Sequence, residues 1–400
     1  MTPRLRHLAR VNPSTPEFDR LEDDAEVTFI PLEAVWPGDR FDVTRRRPKA
    51  EVAVGYTRFR EGDILVPKIT PTFQADRTVI AHGLDGCVGA GTTELHIVRT
   101  GESADARYLR YLLSSKPFLD EGEASMIGVA GQKRVPDDCL RDLRVSVATL
   151  DWQRAIANYL DVETARIDAL IEKKRRMVEV LEERRTSVIG AIVEGSGPTV
   201  AVRFMTSRIT SGPRGWSALA SDSGTPFLRI TNIQRQSIEL DMSDTLLVSA
   251  PDEAESRRTE VSDGDVLVSI TADIGSVAVA RRVHAGSHVS QHIALLTPDG
   301  CRSDWLAYAI KSPGSRATLD AGQYGGTKTQ LGLGDIASLR VPRPSLDDQD
   351  RLLETIDREI ARIETLGQRL LFQIDLLLEH RQALITAAVT GELSIPGVAA

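Results

Sequence analysis

One long segment of this chain occurs twice, and this internal repeat limits the possible folds more than any other feature of the sequence. Leu143–Gly195 aligns with Leu339–Gly391 without a gap, at a constant offset of 196 residues. Matched positions hold many identical residues, among them Leu143/Leu339, Arg144/Arg340, Asp151/Asp347, Gln153/Gln349, Asp161/Asp357, Arg185/Arg381 and Gly195/Gly391. A segment that is used twice predicts two equivalent structural modules in one chain.

The sequence upstream of each copy repeats more weakly. EGDILVPKIT at Glu61 aligns with DGDVLVSITA at Asp263, and Tyr108-Leu109-x-Tyr111 aligns with Trp305-Leu306-x-Tyr308. Runs of β-branched residues after a Gly-Asp pair predict strands, and the short amphipathic stretches predict helices, so each upstream region is expected to be mixed α/β. The predicted parts are a first divergent region (1–145), a first helical region (146–196), a second divergent region (197–342) and a second helical region (343–400).

Each repeated region predicts one long helix. Asp151–Glu194 contains no proline and its apolar residues recur close to a seven-residue spacing, which the second copy keeps more regularly from Ile363 to Ala388. Since each helix alone would expose an apolar seam, we expect the two to pair as an antiparallel coiled coil about 60 Å long, with the divergent regions at its opposite ends. Packing of the helices on separate globular cores is the alternative.

The expected fold class is therefore α/β (α+β). Two globular domains would be separated by two long paired helices, with an internal pseudo-two-fold repeat relating the halves of the chain.

Charge and hydrophobicity narrow the location and the partners. A net charge of -8 argues against strong non-specific affinity for nucleic acid, because Lys and Arg supply most of that affinity. The acidic excess lies mainly in Asp347–Glu392, whereas Ser196–Ser345 is close to balanced. No run approaches the roughly 18 apolar residues of a membrane span, and the N-terminal residues lack the apolar core of a signal peptide. We expect a cytoplasmic protein without a membrane partner.

The order of motifs in the chain resembles that of the specificity subunits of Type I restriction-modification systems, over essentially all 400 residues. The resemblance rests on GDILV at Gly62, GDVLV at Gly264, GGTKTQLGLGDI at Gly325, LRVPRPSLDDQ at Leu339 and ITAAVTGEL at Ile385. In that family two target-recognition domains alternate with two repeated helical regions.

The resemblance implies a DNA-binding function. Each target-recognition domain would read one half of a bipartite, asymmetric site in double-stranded DNA. The helical regions would set the unread spacer between the half-sites and bind two methyltransferase subunits. Restriction/translocase subunits would join in the full complex, which carries the DNA adenine methyltransferase and endonuclease activities.

The sequence gives no sign of catalysis by the chain itself. It has no Asp/Asn-Pro-Pro-aromatic box and no phosphate-binding loop, and GQYGGTKT at Gly322 lacks the Gly-Lys-Ser/Thr step. His284, His288 and His292 lie in a segment expected to be extended, where residues four apart cannot share one metal ion. The run Lys173–Arg176 is expected on a solvated helix face, and Cys87, Cys139 and Cys301 are too far apart in sequence for a metal motif. We expect a non-catalytic subunit with no metal and no cofactor.

Base reading requires Arg or Lys for guanine, Asn or Gln for adenine, and Ser or Thr as adaptable partners. Loops of both divergent regions supply such residues. The candidates in the first region are Arg58, Arg60, Lys68, Thr70, Gln74, Arg77, Gln132, Lys133 and Arg134, and those in the second are Arg229, Thr231, Asn232, Gln234, Ser269, Thr271, Gln323, Tyr324, Lys328, Thr329 and Gln330.

Three other functions stay open at this point. A coiled-coil scaffold that binds only proteins would suit the acidic charge. A solitary DNA-binding protein without restriction partners, and an enzyme with an unrecognised site, are the other two.

Overall fold

The computed structural model describes residues 3–129, 132–145, 149–251, 254–321 and 330–395. The chain divides into two compact units, Met1–Arg175 with Leu371–Ala400, and Arg176–Leu370. The first unit therefore contains one divergent region and the second unit contains the other, and each includes part of both helical regions.

The first half of the chain contains ten strands and six α-helices within the described residues. The strands are β1 (Ala9–Val11), β2 (Glu26–Ile30), β3 (Val35–Trp36), β4 (Arg40–Phe41), β5 (Arg46–Pro48), β6 (Thr57–Arg60), β7 (Ile64–Pro67), β8 (Val79–Ile80), β9 (Val88–Gly91) and β10 (Leu95–Thr100). The helices are α1 (Pro16–Asp19), α2 (Lys49–Val52), α3 (Ala106–Leu113), α4 (Lys116–Ser125), α5 (Asp137–Asp142) and the long helix α6 (Leu150–Glu194).

The second half contains nine strands and five α-helices within the described residues. The strands are β11 (Thr199–Ala201), β12 (Thr206–Ser211), β13 (Ala220–Leu228), β14 (Leu246–Val248), β15 (Val266–Ser269), β16 (Val277–Val279), β17 (His288–Val289), β18 (Ile293–Pro298) and β19 (Arg340–Pro342). The helices are α7 (Ala254–Thr259), α8 (Ser303–Lys311), α9 (Pro313–Ala321), α10 (Leu333–Ser338) and the long helix α11 (Leu346–Thr390).

The two divergent regions share a sheet topology. An antiparallel sheet has the order β1-β10-β7-β8 in the first region and β12-β18-β15-β16 in the second. A second, mixed sheet pairs β2 with β9 in parallel in the first region, and β13 with β17 in parallel in the second. The mixed α/β character predicted for each region is confirmed.

The central strand of each antiparallel sheet lies between two hydrophobic cores. In β7, Ile64 and Val66 belong to one core and Leu65 to another. In β15, Val266 and Val268 face one core and Leu267 the other. Successive side chains of a strand point to opposite faces, so a strand buried on both faces has a continuous apolar sequence. This explains the runs DILV and DVLV.

The Gly-Asp pair before each of these strands forms a turn. Gly62 and Gly264 have φ values of 82° and 85°, a left-handed conformation that favours glycine. The carboxylate of Asp63 accepts the backbone N–H of Arg60, and the carboxylate of Asp265 accepts the backbone N–H of Ser262, at 2.9 Å in both cases. Each Gly-Asp pair thus fixes the entry into a buried strand.

Both long helices begin in the same way. Ser345 Oγ accepts the N–H of Asp348 at 3.2 Å, and Thr149 Oγ1 accepts the N–H of Trp152 at 3.3 Å, as helix N-caps do. Gln153 and Gln349 are buried next to these caps. Their Oε1 atoms accept backbone N–H groups of the preceding divergent region, from Asp105 at 2.9 Å and from Arg302 at 2.8 Å.

The long helices run antiparallel in the first unit and contact each other in the second. In the first unit Asp168 pairs with Arg381 at 2.9 Å and Lys174 Nζ donates to Gln373 at 2.7 Å, so ascending positions on α6 meet descending positions on α11. In the second unit Arg185 pairs with Glu364 at 3.4 Å.

Asp168 and Glu364 occupy matched positions of the repeat, as do Arg185 and Arg381, so one ion pair is formed twice. The predicted apolar seam is also observed in the first unit, where Ile167 packs with Ile171 and Ile374, and with the partly buried Leu377 and Leu384.

Candidate nucleic-acid interface

The loop that follows β7 pairs with the segment that precedes α5. Thr70 N donates to Lys133 O at 3.0 Å, and Val135 N donates to Lys68 O at 2.8 Å, which places Ile69 opposite Arg134. We call this contact, residues 68–70 with 133–135, the first paired edge. Both of the stretches that it joins contain base-reading candidates predicted from the sequence.

The second divergent region contains the same contact. Leu331 N donates to Ile270 O at 2.9 Å, and Thr271 lies opposite Gln330. The alignment of the two halves matches Thr271 with Ile69 and Gln330 with Arg134. Residues 270–271 with 330–331 therefore form a second paired edge, equivalent to the first.

A charged pair occupies the first paired edge. Arg134 donates to both carboxylate oxygens of Glu94, at 2.7 and 2.8 Å, from the residue before β10. The hydrogen bonds from Arg134 hold the pKa of Glu94 below its usual value. Bidentate pairs of this kind fix the guanidinium in one plane, so Arg134 holds the backbone contact in place.

A histidine, a threonine and a glutamine take the place of the charged pair at the second paired edge. His292, the residue before β18, lies 3.0 Å from Thr271 Oγ1 through its Nδ1 atom and 3.0 Å from Gln291 Nε2 through its Nε2 atom. Gln330 takes the position of Arg134, is exposed, and makes no side-chain hydrogen bond among the described residues. The amide of Gln330 is therefore available to an external partner.

Several predicted candidates in the first region already have partners in the protein. Arg60 pairs with Glu17 at 2.8 Å, and Gln74 Nε2 donates to Glu123 at 2.5 Å. The other two candidates of this kind are Arg58, which binds Asp19 and lies over the ring of Phe18, and Arg77, which donates to Val35 O.

The same is true of four candidates in the second region. Asn232 is buried, its Oδ1 accepts the N–H of Arg229 at 2.8 Å, and its Nδ2 donates to Asp241 O at 2.8 Å. Its position supports a role in holding the turn rather than in contacting a base. The other three are Arg229, paired with Asp244, Gln234, bound to Asp241, and the buried Ser269, whose hydroxyl donates to Thr271 O.

Six candidates remain without a side-chain hydrogen bond or ion pair among the described residues: Lys68, Thr70, Gln132, Lys133, Thr231 and Gln330. Five of them lie at, or one residue beyond, the paired edges. Lys68 also lines a cleft of about 550 Å³ next to Tyr56 and Arg58. The hydroxyl of Thr70 is buried and has no partner in the described part of the chain. Gln323, Tyr324, Lys328 and Thr329 lie outside the described residues.

The three histidines of the His284–His292 segment lie in different surroundings. His284 Nδ1 accepts the N–H of Arg281 at 2.9 Å, His288 contacts Trp216 with 5.3 Å between ring centroids, and His292 contacts Thr271 of the second paired edge. Within residues that the structure describes, no group of three or more His, Cys, Asp or Glu could hold a metal ion. Among the described helices, none combines the length and the apolar character needed to cross a membrane.

Prediction from the sequence did not find Glu94, which holds Arg134, and it considered His292, which contacts Thr271, only as a metal ligand. Each directly precedes a strand of the antiparallel sheet, and the 40 residues between Glu94 and Arg134 hide their contact. The alignment of β10 with β18 brings these two residues to nearly matching positions, which is the signal that could have located them.

Comparison with known proteins gives a consistent result. No family model matches the chain. The specificity subunit of the Type I restriction enzyme EcoEI from Escherichia coli is 40% identical over 136 residues, which are 33% of this chain and 22% of that protein. The chain thus matches about a fifth of the length of this relative.

Solved structures extend the likeness to the whole fold. A chain from work on complex assembly and conformational transition of the type I R-M system matches with a TM-score of 0.73 at 17% identity, over 98% of this chain and 97% of that one. The HsdS subunit from Thermoanaerobacter tengcongensis matches with a TM-score of 0.52 at 17% identity, over 98% and 96%.

Proposed function

We propose that the chain, which is similar in part of its sequence to a Type I restriction enzyme specificity subunit and in fold to the HsdS subunit, belongs to the specificity subunits of Type I restriction-modification systems and is a sequence-specific DNA-recognition subunit. Each divergent region reads one half of a bipartite, asymmetric site in double-stranded DNA. The chain contributes binding and no catalysis, and the chemistry belongs to its partner subunits. The cytoplasmic location expected from sequence agrees with a DNA target.

The observation that carries this proposal is the paired edge, which occurs once in each divergent region. A common backbone contact displays different side chains, Lys68, Gln132 and Lys133 in one region and Gln330 in the other. Lysine suits guanine or phosphate, and glutamine suits the N6 and N7 atoms of adenine. Two half-sites of different sequence require different polar side chains, and the shared backbone contact can present them in the same position.

Two methyltransferase subunits would bind the long helices. Exposed apolar side chains occur there at matched positions of the repeat, Leu170 with Leu366 and Val180 with Leu376, each more than two-fifths exposed. The first unit holds Leu170 and Leu376, and the second holds Leu366 and Val180. Two equivalent apolar surfaces support two copies of one partner, with restriction/translocase subunits joining in the full complex.

This stoichiometry is tested by native mass spectrometry of the co-expressed complex. Leu376→Asp and Val180→Asp should each lower the number of bound methyltransferase subunits from two to one, because a charge would be placed in an apolar contact. Glu179→Asp, a neighbouring change that keeps the charge, is the matched control. Two bound subunits in both Asp variants would contradict the two-surface proposal.

The long helices would also set the unread spacer. Each runs for 45 residues without proline. If the helices set the spacer, one added heptad in each should lengthen it and leave the half-site bases unchanged.

DNA recognition is tested by mobility shift of genomic fragments with the purified chain, alone and with its co-expressed methyltransferase. Sequence-specific binding in the presence of the partner is expected, and no binding under either condition would favour a protein scaffold. Gln330→Ala should weaken discrimination at one base pair by about 1–3 kcal/mol. Gln236→Ala removes another exposed amide of the second region, which borders a cleft beside the long helix α6, so it should leave discrimination unchanged.

A further inference from the structure

Two exposed apolar side chains lie next to the first paired edge. Ile127 is 71% exposed and Val129 is 77% exposed. They belong to a pair of short segments, residues 127–129 and 132–134, which we call the hairpin; within it Ile127 lies opposite Arg134. Neither residue belongs to the polar base-reading candidates predicted from the sequence.

Hydrogen bonds fix the described part of this hairpin. Ile127 and Arg134 exchange backbone hydrogen bonds of 3.0 and 2.9 Å, and Gln132 N donates to Val129 O at 3.0 Å. Arg134 is held in turn by Glu94. Gly128 has a φ of 136°, and a Cβ atom at this position would lie 2.8 Å from Gln132 O. Ile127 and Val129 are therefore presented to solvent by a constrained backbone.

The surroundings of these side chains favour a polyanion as the occupant. Lys133 and Gln132 lie on the opposite arm of the hairpin, and Lys68 lies on the adjoining strand of the paired edge; none of the three side chains forms a hydrogen bond or a close ion pair with the described residues. Two lysines without a close ion pair, next to a small apolar patch, suit DNA, where a phosphate backbone flanks a groove that displays an apolar group. An apolar protein partner would have to bury those ammonium groups at a cost.

We infer that Ile127 and Val129 contact the 5-methyl group of thymine in the major groove of the first half-site. This methyl is the apolar group that an A·T pair displays there, and small apolar side chains recognise it. β-branched residues suit the task because few side-chain rotamers are lost on binding. The inference rests on the proposed DNA-recognition function and adds a base identity to it.

The experiment removes the methyl group from the DNA and leaves the hydrogen-bonding edges unchanged. Binding of the methyltransferase complex is measured on duplexes in which each thymine of the recognised site is replaced singly by deoxyuridine. We expect a loss of roughly four-fold in affinity per contacted methyl, at one or two positions of the first half-site only. Exchange of residues 200–339 identifies which half-site belongs to the second region.

Variants connect the methyl to the hairpin. Ile127→Ala with Val129→Ala should bind thymine and deoxyuridine duplexes equally, at about the affinity of the unaltered protein for deoxyuridine. Val283→Ala is the matched control, because Val283 is 85% exposed in the second region; it should keep the full preference for thymine. Since all three side chains are exposed, the melting temperature should stay the same.

Three results would overturn the inference and leave the proposed function intact: a first half-site without thymine, specific binding that no deoxyuridine replacement weakens, or a thymine preference that survives in the double variant. Absence of sequence-specific binding by the unaltered complex would instead overturn the proposed function, and the thymine contact with it.

Discussion

The two paired edges share a backbone contact but differ in the side chains on it. In the first, Arg134 is held by both oxygens of Glu94, so a charged pair closes the edge. In the second, the matching position holds Gln330, which is exposed and unbound, beside a His292–Thr271 contact. The same backbone contact can therefore carry different side chains. The two paired edges need not play the same part in binding, although their backbones are equivalent.

The Gly-Asp turns differ in a related way. Asp63 is bound by Nε and Nη2 of Arg99 at 2.7 and 2.8 Å, and both side chains are nearly inaccessible to solvent. Asp265 is equally buried, but its partner Arg208 is one-third exposed and approaches at 3.1 Å, with the Thr297 hydroxyl donating at 2.8 Å. One turn thus depends on a buried ion pair and the other on a shared set of weaker bonds.

The largest expected effect comes from replacing one of the two divergent regions. Exchanging residues 200–339 for the corresponding region of a relative with another target should replace one half-site and leave the other unchanged. Each mismatched base pair costs about 1–3 kcal/mol, so affinity for the original site should fall by roughly three orders of magnitude or more. Methylome sequencing of cells that carry the exchange reads both half-sites, and a change in both would contradict separate reading by the two regions.

The second effect separates the two turns. Asp63→Ala leaves the largely buried Arg99 without its carboxylate partner, with only Ser14 O and Thr15 Oγ1 as acceptors, and should lower the free energy of unfolding by about 3–5 kcal/mol. Asp265→Ala should cost about 1–3 kcal/mol, because water reaches Arg208. Urea unfolding of both variants measures the difference. Asp138→Ala, a change at a carboxylate that is 82% exposed, is the control, and equal losses at the two turns would show that the ion pair adds nothing.

The smallest effect is a difference in the response to acid. Arg134 lowers the pKa of Glu94, so this group adds stability above its ordinary pKa, and the contribution is lost as pH falls through the lowered value. Burial raises the pKa of Asp265, so that contribution has the opposite sign, and stability from it increases as pH falls through the raised value.

Acid unfolding of Glu94→Gln and Asp265→Asn variants checks this prediction. The Gln variant should flatten the pH dependence of stability below the ordinary pKa of glutamate, because the titrating group is gone. The Asn variant should lose the gain on mild acidification. Identical pH profiles for all three proteins would rule out both contributions.

The sequence predicted the frame of the molecule better than its contacts. The long helix expected from Asp151 to Glu194 is observed as Leu150–Glu194, because absence of proline and a regular apolar spacing are local properties of a helix. The Gly-Asp turns were also predictable, since a left-handed residue before a buried strand requires glycine. Both features are repeated in the chain, which gave each prediction a second test.

Most base-reading candidates could not be sorted from the sequence, because the partners of a polar side chain can be far away along the chain. Gln74 is bound to Glu123 and Arg134 to Glu94, across 49 and 40 residues. Asn232 is occupied by its own turn. Composition marks a side chain as capable of a contact, and only the fold decides whether its donors are already used.

The first unit is made of stretches that are far apart in the chain, and this has a consequence for synthesis. Its core includes Ile385, Ala388, Val389 and Ile395 together with residues near the N terminus such as Leu5. At about 5–20 residues per second, a ribosome needs roughly 10–40 s to pass from the end of the first stretch, Arg175, to the start of the last, Leu371. The first region to emerge therefore waits longest for its core to be completed, whereas every stretch of the second unit is made within that interval.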